Sequence, residues 1–88
     1  MDERFNNLKL LLDQQNYPSV YLYKFIIKKD NEKLVAIKRC FDESAEIELI
    51  PSKNGNFISL RIKEMMLSSE AILKRYEQVG KIKNVMTL

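Results

Sequence analysis

The chain has 88 residues, one cysteine, no histidine and a formal charge of +3. A chain of this length builds one domain around one core. The missing histidine excludes Cys-His and Ser-His catalysis and histidine-ligated zinc, while a lone Cys40 excludes an intrachain disulfide and a multi-thiolate metal site.

The opening "MDERFNNLK" is polar and acidic rather than signal-like, and no apolar run approaches the roughly 20 residues of a spanning helix. The expectation is a cytoplasmic protein with no membrane association. From Asp2 as N-cap, Phe5, Leu8, Leu11 and Leu12 recur at helical spacing, and Pro18 ends that helix near Asn16 by biasing Tyr17 towards extended backbone. Residues 1–16 therefore read as a helix that packs on or extends a single domain over residues 17–88.

The segment "SVYLYKFIIKK" is rich in aromatic and β-branched residues and reads as the strongest strand. Asp30 caps a helix over "NEKLVAIKRCFD", with Leu34, Ile37 and Phe41 on one face and Val35 and Cys40 flanking it. Cys40 in this apolar pattern reads as an inert, buried thiol, because reactive cysteines sit in electropositive, accessible settings.

"AEIELIPS" alternates charged and apolar residues as a half-buried strand does. Pro51 and the pair Glu46 and Glu48 suit a sheet edge, where they discourage pairing with another chain. Asn54-Gly55 is a hairpin signal whose two residues both tolerate positive φ. The strand "NFISLRIKEMM" leaves it with Ile58, Leu60 and Ile62 on one face and Phe57, Ser59, Arg61 and Lys63 on the other.

Ser68 caps "SEAILKRYEQV", with Leu67 and Ile72 as a hydrophobic staple and Ile72, Tyr76 and Val79 as the buried stripe. Gly80 sits where a left-handed C-terminal cap is expected, and "KIKNVMTL" closes the chain as a final strand. Charge is uneven along this order. Residues 1–50 hold eight basic and nine acidic side chains, and residues 51–88 hold seven and three. That bias is weaker than the basic stripes of dedicated nucleic-acid binders.

After the first helix the order is βαββαβ. Two βα units around a hairpin predict an α+β, ferredoxin-like sandwich: an antiparallel sheet of order 4-1-3-2, both later helices on one face, and an extra N-terminal helix. From Tyr17 onward the chain resembles the YbeD-like family of small bacterial proteins of unknown function. "YPSVYLYKF", "SKNGNFISLRI" and "YEQVGKIKNVMTL" carry the likeness, and "IKEMMLSSE" resembles its Bacteroidetes-type branch. Ser52, Lys53, Gly55, Asn56 and Phe57 match the family's Ser-Ser-Lys-Gly-Asn-aromatic turn, and Asn54 departs from it. The resemblance implies a ferredoxin-like fold similar to ACT regulatory domains, a bacterial, cytoplasmic origin, and no assigned catalytic, cofactor or metal residue.

Three binding roles are set against one another. RNA-recognition domains stack bases on aromatics of the two central strands. Here Lys53 and Phe57 fit half of that pattern, and Tyr21 serves it by facing outward, whereas strand alternation sends Tyr21, Tyr23, Phe25 and Ile27 towards the helices; nucleic acid is disfavoured. ACT-like modules bind amino acids where the first strand meets the following helix, with a glycine there; "KKDNEK" has none, and a small ligand remains an alternative. The third role is a regulatory or protein-interaction adaptor, non-enzymatic and without cofactor, using an open sheet face of Val20, Leu22, Lys24, Ile26, Phe57, Ser59, Arg61 and Lys63. An apolar patch with basic neighbours on a small domain marks an interface for a partner protein or a second copy. The competing expectation is that the N-terminal helix covers this face.

Overall fold

The computed structural model describes residues 3–88, with side chains from Asn6 onward, so the Asp2 cap and the Phe5 contact lie outside it. The elements are α1 (Glu3–Asp13), β1 (Ser19–Lys28), α2 (Asn31–Lys38), β2 (Glu46–Pro51), β3 (Phe57–Met66), α3 (Ser69–Gly80) and β4 (Met86–Thr87). The strands form one four-stranded antiparallel sheet of order β2-β3-β1-β4. Counted from the other edge this is 4-1-3-2, consistent with the ferredoxin-like arrangement. The long strands β1 and β3 pair along their whole length, from Ser19 opposite Met66 to Lys28 opposite Phe57.

Alternation decides which side of the sheet is core. Tyr23, Phe25 and Ile27 of β1 and Ile58, Leu60, Ile62 and Met66 of β3 are buried, together with Ile37 and Phe41 from the α2 region and Ile72, Leu73 and Val79 from α3. Each such side chain contributes about 1.5–3 kcal/mol by leaving water. Aromatic packing ties the layers, with Tyr23 ring centroids 5.0 Å from Phe41 and 5.2 Å from Tyr76.

The helix starts follow local chemistry. Asp30 Oδ1 accepts the backbone N–H of Glu32 and Lys33, and Ser68 Oγ accepts that of Ala71. These are the caps expected of Asp and Ser. The ends follow tight turns and the side chains just beyond them.

α1 stops at Asp13, three residues before Asn16, where Gln14 and Gln15 N–H groups tighten onto Leu11 and Leu12 carbonyls and the Tyr17 hydroxyl donates to the Leu12 carbonyl. Leu12 enters the core, whereas Leu11, read as part of the same stripe, is 62% exposed. α2 stops at Lys38 rather than Asp42, because Cys40 and Phe41 N–H groups make tight turns onto Ile37 and Lys38 carbonyls and swing Phe41 inward.

Three local expectations are corrected. The hairpin is not a two-residue turn with positive φ at both Asn54 and Gly55: only Gly55 has it, at 77°. Asn54 acts through its side chain, whose Oδ1 accepts from Ser52 Oγ and the Asn56 N–H, while Ser52 and Phe57 close the loop. Leu67 is 74% exposed and makes no staple, since the chain turns between β3 and the Ser68 cap with that side chain outward. Gly80 is the last residue of α3 and its cap is Lys81 at φ −77°; the left-handed residue is Asn84, at φ 61°. That conformation turns the chain just before β4, which is only two residues long.

Candidate interaction face

The eight residues of the candidate face lie on the two central strands and point away from the helices. Register places them in rows: Val20 beside Met65, Leu22 beside Lys63, Lys24 beside Arg61, Ile26 beside Ser59 and Lys28 beside Phe57. β2 extends three rows, setting Glu46 beside Lys63, Glu48 beside Arg61 and Ile50 beside Ser59, and β4 adds Met86 beside Ile26. The face therefore has an apolar end at Val20 and Met65, a charged band, and a second apolar strip of Ile50, Ile26, Met86 and Phe57.

The described part of α1 does not cover it. Asp13 accepts a hydrogen bond from the Ser69 hydroxyl at the start of α3, and Lys9 lies 3.8 Å from Glu70. These contacts put α1 in the helix layer, next to α3. Val20 stays 60% exposed, Met65 57% and Phe57 43%. A shallow hollow of about 540 Å³ on this face is lined by Leu22, Glu46, Ile47, Glu48, Arg61 and Lys63.

Its electrostatics are mixed but ordered. The cations Lys24, Lys28, Arg61 and Lys63 occupy the two central strands, and the carboxylates Glu46 and Glu48 flank them on β2. Arg61 approaches Glu48 at 3.8 Å with both side chains more than half exposed, a pair worth little in water. Lys24 and Lys28 make no salt bridge among the described residues.

The aromatic arrangement weighs on the nucleic-acid alternative. Tyr21 faces the helices, where its hydroxyl lies 2.8 Å from that of Tyr76. Phe57 is then the one aromatic side chain of β1 and β3 on the open face, so the paired stacking platform is not assembled.

The face runs at one end into a second feature, where β1 meets α2, and shares Ile26, Lys28, Phe57 and Met86 with it. An open cleft of about 590 Å³ is lined by Ile26, Ile27, Lys28, Lys33, Phe57, Asn84, Val85 and Met86. It forms because the chain turns at Asn84 and pairs with β1 only at Phe25 and Ile26.

On the helix side the sequence reading missed one polar cluster. Glu64 is 5% exposed and is gripped by Arg75 through Nε at 2.9 Å and Nη2 at 3.1 Å. Its Oε2 also accepts the Asp42 N–H, and Arg75 Nη1 donates to the Cys40 carbonyl at 2.7 Å. The Arg75 guanidinium lies over the Phe41 ring, 5.6 Å from its centroid. One bidentate pair thus fastens β3, α3 and the segment after α2. The signal was available: alternation from Ile58, Leu60 and Ile62 carries straight on to Glu64.

Cys40 is half-buried, donates weakly to the Ala36 carbonyl at 3.4 Å, and has its thiol pushed up by burial against a smaller opposing effect of Arg75. Burial also pushes the Tyr23 and Tyr76 phenols well above their ordinary range. No described helix is long and apolar enough to cross a membrane.

No curated protein and no solved structure matches the chain. The model of a family described as "Protein of unknown function (DUF493)" matches residues 13–88, from the last residue of α1 to the end of the chain. The chain belongs to this family, the YbeD-like one.

Proposed function

We propose that the protein is a non-catalytic regulatory or adaptor module that docks a partner protein on its open sheet face. The observation that carries this reading is the bare face itself. Val20, Leu22, Ile26 and Phe57 present apolar surface beside Lys24, Arg61 and Lys63, while α1 lies against α3. A mixed apolar and basic surface on a domain of this size suits a partner with apolar anchors and acidic neighbours. The ACT-like character implied by the family resemblance agrees with a module that works by binding.

The test is affinity capture from a native lysate with wild-type protein and an Arg61→Glu variant. The reading expects at least one protein held by wild type and lost by the variant. Identical recoveries from both remove it.

A second reading has its own observation, the cleft between β1, α2 and the Asn84 turn. A lining of Ile26, Ile27, Phe57, Val85 and Met86 together with Lys28 and Lys33 suits a small molecule carrying an anionic group, such as an amino acid. A thermal-shift screen of amino acids and nucleotides should then raise the melting temperature for one of them, and less so for Lys28→Ala/Lys33→Ala. A flat screen counts against it.

A further inference from the structure

We propose that two copies of this chain pair edge to edge through the free stretch of β1, Val20–Leu22, in antiparallel register about Tyr21. Backbone parity supports the surface. Leu88 N–H donates to the Lys24 carbonyl at 3.0 Å on the β4 side, and Lys29 N–H donates to the Asn56 carbonyl at 3.0 Å on the β3 side. Even-numbered residues of β1 therefore aim their N–H and C=O groups at the β4 edge, and odd-numbered ones aim theirs at β3.

β4 reaches only Phe25 and Ile26, and Leu88 adds Lys24. Among the described residues nothing pairs with the outward N–H and C=O groups of Val20 and Leu22. Two donors and two acceptors stand in a row between Pro18 and the end of the β4 ladder.

The two edges of this sheet are treated differently by the sequence. β2, at one edge, carries Glu46, Glu48 and Pro51, which discourage a further strand. The stretch Ser19-Val20-Tyr21-Leu22-Tyr23 has no charge, no proline and exposed apolar side chains, with Val20 at 60% and Leu22 at 37%. An unguarded apolar edge is a template for another strand.

Register and charge select a second copy as the occupant. If Val20 of one chain pairs with Leu22 of the other, both free residues on each side are satisfied, giving four backbone hydrogen bonds. That register is its own image under a two-fold axis through Tyr21, as a closed dimer requires. Its neighbours fail: shifting the centre to Val20 sets Leu22 against Pro18, which has no N–H, and shifting it to Leu22 sets Val20 against Lys24, whose carbonyl Leu88 already occupies. About Tyr21 the ladder runs over Val20–Leu22 only, and at Ser19 and Pro18 each copy leaves the line of the strand before the place that Leu88 of the other holds opposite Lys24. A charged peptide finds no complementary charge in the stretch, whereas a second copy brings the same uncharged strand. Leu10 and Leu11, 64% and 62% exposed on α1, add apolar surface at the β1-start end of the molecule. The open face stays free in this arrangement, so dimerisation and partner docking use different surfaces.

The test combines mass and cross-linking. Light scattering over a concentration series should show wild type rising from 10.4 kDa to twice that mass. Leu22→Pro removes a donor only on the free edge, where proline is tolerated, and should stay monomeric with an unchanged circular dichroism spectrum. In a Cys40→Ser background, Tyr21→Cys places two thiols across the two-fold as a non-hydrogen-bonded pair, with Cα atoms about 4.5 Å apart, within disulfide reach. It should form a reducible dimer on oxidation, and Val35→Cys, exposed on α2, should not. A wild type that remains at 10.4 kDa, a folded Leu22→Pro variant that remains dimeric, or a Tyr21→Cys variant that cross-links no better than Val35→Cys overturns the proposal.

Discussion

Arg75 is what makes the burial of Glu64 tolerable. Two charge-assisted hydrogen bonds and the Asp42 N–H replace the water that the carboxylate gave up. Removing one partner leaves a buried charge alone, so Arg75→Ala should cost about 3 kcal/mol, a fall of roughly 12–24 °C in Tm for a domain this small. Replacing both together, as Glu64→Leu/Arg75→Leu, should recover most of that loss in urea titrations, because an apolar pair needs no compensation. At this scale the sequence was legible wherever strand alternation was followed to its end. Ile58, Leu60 and Ile62 were placed by it, and Glu64 stands next on the same face. Arg75 was not legible, because its pairing depends on how α3 lies across the sheet. Cys40 belongs here too: with its thiol pushed up by burial, it should react with a disulfide probe more slowly than free cysteine, and urea should abolish the difference.

Elements begin where their own residues say and end where their neighbours say. Asp30 and Ser68 were readable as caps because capping is a contact within three residues. The ends of α1 and α2, and the shortness of β4, depend on Tyr17, Phe41 and Asn84 meeting distant parts of the chain or turning it. The two glycines make the contrast measurable. Gly55 sits at φ 77° with open space where a methyl group would stand, so Gly55→Ala should cost about 1–2 kcal/mol from backbone strain alone. Gly80 ends α3 without positive φ and with equally open surroundings, so Gly80→Ala should stabilise by up to about 1 kcal/mol. Chemical denaturation of both variants gives the two opposite signs.

The α1–α3 contact has its own signature in pH. The Ser69 hydroxyl first, and Lys9 second, hold the Asp13 carboxyl below its ordinary 3.8. A carboxyl with a lowered folded value binds fewer protons when folded, so its stabilisation is present above that ordinary value and lost as pH falls through the folded one. The stability gap between wild type and Asp13→Asn should therefore be open at neutral pH and close in acid.

Across the whole molecule, topology was the most legible property, because alternating periods of two and 3.6 residues leave few ways to order βαββαβ. The position of α1 was not legible: its apolar residues suit either side of the sheet. Contacts of Asp13 with Ser69 and of Lys9 with Glu70 put it in the helix layer, which leaves the open face bare among the described residues. That bareness is the basis of the functional reading. The most direct measurement is amide chemical-shift mapping of the labelled protein on adding a purified partner recovered by wild type and lost by Arg61→Glu. Docking on the open face predicts shifts concentrated on Val20, Leu22, Lys24, Ile26 and Phe57–Lys63, with the exposed residues of α2 and α3 unmoved. Shifts confined to the helix layer would contradict it.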